Sequence, residues 1–331
     1  MRAVTTIIAV LFVSILTGCS PKDRMIETAN PGEQRELLTV DFNDSRTLRY
    51  KFVSARDITI DWEPSKTEAE QGRPSLVKSS ESLEMVVAYT PVEINPYGLS
   101  TIEAICESVK VRRSEGANQD AVENFAGKSY RFKVGPTGKI EDNSELDKLI
   151  KQIAAKAFRP DTSRGRIKEP DMIADFIASQ WFLWDAVSSI PNTSEGVRIG
   201  QSWHSKLSVP TPMIMRKARD VTYTLEEIRQ SVKGRLAVIS STYSPAETVP
   251  QSWPVPYTGR FQMSGTFGFL GNYQLLDLQG AGEELFNITL GRTEQYTQHY
   301  QLLLQASIPL GIGENPKITI IQNLTMDLLE D

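Results

Sequence analysis

The chain has 331 residues, 40% hydrophobic and 23% charged, which is enough apolar material for a sizeable core. Its net charge of -5 and pI of about 5.4 leave no basic surplus to neutralise a phosphate backbone, so nucleic acid is excluded as an expected partner. With only two cysteines, Cys19 and Cys106, a fold stapled by several disulfides is excluded too.

Arg2 precedes an apolar run from Val4 to Ile15. The run falls short of the roughly 20 residues a spanning helix needs, and it has the layout of a secretory signal. It ends in Leu16-Thr17-Gly18-Cys19, which resembles the lipobox of bacterial lipoproteins. The resemblance implies removal of residues 1–18 and acyl chains on Cys19, so the membrane becomes a partner through that lipid. Ser20 at the next position resembles outer-membrane sorting, which implies a lipid-anchored envelope protein facing the periplasm. Several acyl chains on one residue hold a protein almost permanently, at ~0.8 kcal/mol per buried methylene. Residues 19–45, with Pro21, Pro31 and Gly32, read as a polar tether, and 46–331 as one β-rich envelope domain.

Period-two alternation opens that domain. Leu48, Tyr50 and Phe52 share a face, and Ile58, Ile60 and Trp62 repeat the pattern. Glu63 to Ser80 reads as a charged loop. Strands are predicted over 82–94 and 99–112 around the turn Asn95-Pro96-Tyr97-Gly98, then at Tyr130, Phe132 and Val134. Gly135-Pro136-Thr137-Gly138 turns the chain into Ile140.

Two helices follow. Leu146, Leu149, Ile150, Ile153, Ala157 and Phe158 form an apolar stripe over 143–158, with Asn143 or Ser144 as cap and Pro160 beyond its end. Pro170 suits a helix first turn, and Ile173, Phe176, Ile177, Trp181 and Trp184 carry a broad stripe over 170–189. Strands resume with a hairpin, 220–229 and 234–243, in which Val221, Tyr223 and Leu225 would face Ala237 and Ile239. Phe261, Met263, Phe267 and Phe269 alternate next, and Gly280-Ala281-Gly282 reads as a break between two strands. Tyr296, Tyr300, Leu302, Leu304, Ala306 and Ile308 share one strand face, and Ile318, Ile320, Leu324, Met326 and Leu328 make a closing strand.

One internal echo stands out: Gly127-Lys128-Ser129-Tyr130 matches Gly200-Gln201-Ser202-Trp203, and Pro-Thr follows each at 136–137 and 210–211. Two related halves flanking the helical pair 143–189 would explain it. The fold class expected is α+β, mainly antiparallel β, as a curved sheet or partial barrel with the helix pair 143–158 and 170–189 inserted.

Candidate sites are sparse. His204 and His299 lack the clustered ligands of a zinc centre, and no catalytic or metal motif surrounds them. No catalytic residue, metal or cofactor is expected, so the chain is read as no enzyme. Cys106 shares a strand face with Ile102 and Ala104 and reads as a small buried hydrophobe. Arg159, Arg164, Arg166 and Lys168 read as a solvated loop, and Pro250, Trp253, Pro254, Pro256 and Tyr257 as cover for a sheet end. Phe176, Trp181 and Trp184 fit the core, with the lining of an apolar ligand cavity as the alternative.

The hairpin 135–138 followed by a helix, and the Gly200-Gln201-Ser202-Trp203 segment, resemble β-rich secreted bacterial lipoproteins without an assigned activity. The architecture also resembles envelope lipoprotein carriers, which implies an acyl ligand beneath the helices. The functional expectation is a non-enzymatic, lipid-anchored protein with a binding or assembly role and an envelope protein as partner. The alternatives are a carrier of a lipid or other apolar ligand, and a hydrolase whose site the sequence does not reveal.

Overall fold

Among the described residues of this computed structural model, eleven strands form one antiparallel sheet. The structure describes residues 34–42, 46–66, 75–114, 121–135, 140–146, 148–149, 152, 195–209, 217–249, 270–308 and 315–330. Met1–Gln34 and Arg35–Asp331 are separate compact units, and the sheet belongs to the second.

The strands are β1 (Leu48–Asp61), β2 (Leu76–Ile94), β3 (Ser100–Arg113), β4 (Ser129–Val134) and β5 (Ile140–Asp142). They continue as β6 (Ser202–Ser208), β7 (Ala218–Ser231), β8 (Gly234–Pro245), β9 (Gly271–Asn287), β10 (Arg292–Ser307) and β11 (Lys317–Leu329). Their order across the sheet is β5-β4-β3-β2-β1-β11-β10-β9-β8-β7-β6. The chain therefore starts in the middle, works out to one edge, crosses to the other and returns. The first and last strands meet at the centre, with Tyr50 opposite Leu328, Ile58 opposite Ile320 and Ile60 opposite Ile318. Among the described residues the sheet is open, with β5 and β6 at its edges.

Alternation explains why these stretches are strands. In β4 the burial pattern is strictly two-fold, with Tyr130, Phe132 and Val134 inside. In β10 Tyr296, Tyr300, Leu302, Leu304 and Ala306 are buried between more exposed neighbours. One face is thus apolar and the other polar, as in an antiparallel sheet covered on one side. Two apolar clusters occupy the buried face. One is built around Phe52, Met85, Tyr89, Ile102 and Phe132. The other is built around Ile58, Ile60, Leu225, Leu302 and Ile318. Each such side chain contributes roughly 1.5–3 kcal/mol when fully buried.

Several expectations change. The strand part of the fold class holds, but the helix pair is not carried by the described residues. Residues 144–146, 148, 149 and 152 are helical and Asn143 is not, while the rest of 143–158 and all of 170–189 lie outside the described residues. Leu76 to Ser80, expected in a loop, extends β2 and pairs with Asp57 to Asp61 of β1. The expected tether 19–45 ends early, because Leu38 and Phe42 are buried, Glu36 bridges Val197, and the Asp41 amide donates to the Gly291 carbonyl at 3.0 Å. The three apolar residues Leu38, Val40 and Phe42 alternate, so this strap packs on both clusters.

Gly280-Ala281-Gly282 does not divide two strands: β9 runs through it without interruption. A Cβ on Gly280 would stand 2.6 Å from Tyr300 Cβ and 2.9 Å from Tyr243 Cδ2. On Gly282 it would stand 2.5 Å from the Tyr243 hydroxyl. The two glycines make room for tyrosines from both neighbouring strands rather than for a turn.

The sequence echo has a local counterpart. Gly127 and Gly200 adopt φ of 75° and 80°, a region that favours glycine. Each amide donates at 2.7 Å to a buried residue of the adjacent strand, Gly127 to the Cys106 carbonyl and Gly200 to the Leu225 carbonyl. Each partner returns a bond to the residue after the glycine, Cys106 to Lys128 at 2.9 Å and Leu225 to Gln201 at 3.1 Å. The same device thus starts β4 and β6, close to opposite edges.

Candidate functional site

Polar residues interrupt the apolar phase of the buried face at matching positions on successive strands. Glu81, Arg56, Gln322 and Tyr300 lie directly opposite one another across β2, β1, β11 and β10. Gly280 and Tyr243 continue that row across β9 and β8. In the next row Gln298, Gly282 and Ser241 are in register. The outcome is a buried polar belt lying between the two apolar clusters.

Its hydrogen bonds form two chains. In one, Tyr300 donates to Gln322, whose Nε2 donates to Ser54 Oγ at 2.7 Å. In the other, the Tyr296 hydroxyl donates to Gln298 Oε1 at 3.0 Å, so the Tyr243 hydroxyl, 3.1 Å away, supplies the proton between the two phenols. Ser241 Oγ closes that chain at 2.8 Å from Tyr243. The Arg219 guanidinium lies 4.6 Å from the Tyr243 ring centroid, a cation–π distance. At the other end Arg56 pairs with Glu81, and Arg113 reaches the same carboxylate at 3.3 Å.

Burial sets the protonation of the belt. It holds the Tyr296 phenol well above its ordinary range, with Tyr243 and Tyr223 adding to the effect and Arg219 opposing it. Tyr50, which donates to the Thr293 carbonyl at 2.7 Å, is raised by burial likewise. These phenols are therefore neutral donors. Gln298 Nε2 is buried and has no acceptor among the described residues. Such a group costs roughly 1–3 kcal/mol unless something accepts from it. The belt thus offers one amide donor to an acceptor set among apolar side chains.

The expected site residues are placed differently. Cys19, Phe176, Trp181 and Trp184 lie outside the described residues, as do Arg159 to Lys168 and Pro250 to Tyr257. His204 and His299 stand on the exposed face, bonded through Nδ1 to Thr222 Oγ1 at 3.0 Å and Asn323 Oδ1 at 2.7 Å. Strands β7, β8 and β9 separate theirs, so the two imidazoles do not converge. Cys106 is buried, and burial, with Glu107 adding, pushes its thiol up to about 12. Among the described residues no group of three or more His, Cys, Asp or Glu could hold a metal ion. Sequence reasoning missed the belt, although Ser54, Arg56, Gln298 and Gln322 each fall in the apolar phase of a strand.

No family model matches the chain, and no curated protein does. Among solved structures it is similar to one on lipid–protein interactions in lipovitellin, at 10% identity and a TM-score of 0.45. The likeness covers 86% of this chain and 25% of the lipovitellin chain. At that level it bears on neither ligand nor activity.

Proposed function

We propose that this is a lipid-anchored envelope protein, acylated on Cys19, whose sheet domain serves binding or assembly rather than catalysis. The observation that carries the reading is the order of motif and sheet along the chain. The lipobox-like Leu16-Thr17-Gly18-Cys19 precedes the sheet unit, which begins at Arg35. A short polar stretch separates them, as an anchored domain requires. Metabolic labelling with a fatty acid tests it: the chain takes up label, and Cys19→Ser abolishes both the label and removal of residues 1–18. Undiminished labelling of Cys19→Ser would contradict the anchor.

A second reading, binding of an apolar ligand that carries one hydrogen-bond acceptor, is favoured by Gln298 Nε2. The flanking clusters are closed to solvent, with Leu302, Ile318 and Met326 fully buried, so the belt is where such a ligand would meet a polar partner. Full-length protein purified without added lipid should then release an amphipathic compound on solvent extraction. Gln298→Leu should reduce the yield. Equal yields from both proteins would remove the belt from the account.

A further inference from the structure

Large apolar side chains left exposed are unevenly placed. Of the eleven among the described residues, six lie at one end of the sheet: Leu37, Val92, Ile94, Tyr97, Ile199 and Val232. Val232 is fully exposed and Tyr97 is 88% exposed, each at the tip of a hairpin. Hydrogen bonds tie the other elements of this end together. The Ile288 amide donates to the Arg235 carbonyl at 2.8 Å, and Asn287 Nδ2 donates to the Lys233 carbonyl at 3.2 Å, which joins the β7–β8 and β9–β10 turns. Strap residue Glu36 pairs with Arg235, and Arg35 Nη1 donates to the Gly196 carbonyl at 2.9 Å, beside Ile199. The β2–β3 turn stands at the same end, since Leu48 at the start of β1 faces Tyr89. From strand spacing, the two hairpin tips stand about 30 Å apart.

The strap brings the chain from Cys19 into this end. Residues 20–34 can span at most about 55 Å fully extended, and a relaxed chain of that length covers far less. The sheet itself is about 45 Å long along β1 at the usual rise per residue. At its relaxed length of roughly 20 Å, that segment favours this end over the opposite one as the end nearer an anchor at Cys19. Several basic residues at this end are paired with carboxylates, Lys233 with Glu330, Arg235 with Glu36, Arg35 with Glu195 and Arg292 with Glu294.

We infer, resting on the Cys19 anchor, that this end of the sheet is a membrane-facing rim whose apolar tips, Val232, Tyr97 and Ile199, enter the headgroup region of the bilayer. Apolar and aromatic tips gain by leaving water there, and the lipid anchor supplies the lasting attachment.

The test uses the full lipidated chain in vesicles of phosphatidylethanolamine with phosphatidylglycerol as the minor lipid. An environment-sensitive dye is placed by Val232→Cys, by Tyr97→Cys and, at the opposite end, by Val77→Cys; buried Cys106 does not compete for it. Dyes at 232 and 97 should shift to the blue and lose quenching by aqueous iodide several-fold, while the dye at 77 stays in water. Mass analysis of the same samples reads the acyl groups on Cys19. Acyl groups present with all three dyes quenched alike would overturn the rim alone. Their absence would overturn the anchor on which the rim rests.

Discussion

Single residues on the buried face divide into those that fill space and those that join the polar belt. Gly282→Ala would push a methyl group against the Tyr243 hydroxyl and the Ser241 Oγ, 2.7 Å away. Overpacking of this kind costs about 1–3 kcal/mol, so urea denaturation should show a lower midpoint with an unchanged slope. Gln298→Leu removes an amide donor that has no acceptor among the described residues, but it also removes the Oε1 that accepts from the buried Tyr296 hydroxyl, so it should cost about 1–3 kcal/mol. No loss on Gln298→Leu would mean that the Tyr296 hydroxyl finds another acceptor. Four phenols, Tyr50, Tyr89, Tyr130 and Tyr296, have raised pKa values from burial. Their folded values lie above the unfolded value of 10.0, so the stability they contribute is present below pH 10 and is lost as pH rises beyond it. Tyrosinate absorbance at these sites should therefore appear only together with unfolding. The belt was legible in part. Arg56 and Gln322 interrupt runs of inward apolar residues, but period-two patterning ranks apolar positions and passes over polar ones in the same phase. Gly280 and Gly282 were misread because a Gly-x-Gly in isolation signals a turn, and only the tyrosines on β8 and β10 reveal a close approach.

At the level of elements, the strap and the paired glycine devices matter most. Leu38 and Phe42 are buried on the sheet, and replacing either by Ala should cost about 2–4 kcal/mol, measurable as a drop in thermal midpoint. A tether would show no change at all. The alternation of Leu38, Val40 and Phe42 was visible, but the prolines and charges before it disguised a packed segment as a linker. Gly127→Ala and Gly200→Ala make a matched pair, because no atom lies within 4 Å of the added Cβ at either position. Only the backbone conformation is penalised, so both should lose about 1 kcal/mol, and by similar amounts. Sharply unequal losses would show that the two segments share letters without sharing a device. The hairpin β7–β8 was legible in its strands, and Leu225 lies opposite Ile239 as expected, but Ala237 faces Ile228 across a bulge and Val221 and Tyr223 face Tyr243 and Ser241. Local turns fix such register, whereas the long extension of β2 through polar Lys78, Ser79 and Ser80 depends on β1 beside it.

At the scale of the whole molecule, alternation announces strands but not their order. The pairing of β1 with β11 joins residues 256 to 280 positions apart, and no local signal encodes it. Closing so long a loop delays folding, so the sheet should form slowly and as one unit. Ending the chain after Pro316 removes β11 from the centre and separates the two halves of the sheet. That truncated chain should show no cooperative unfolding transition by circular dichroism. The address at the other terminus is the claim on which function depends. Mass spectrometry of the protein extracted from its native membrane tests it most directly. The account predicts a chain beginning at Cys19 with acyl groups on that residue, and a chain retaining residues 1–18, or beginning at an unmodified Cys19, would contradict it.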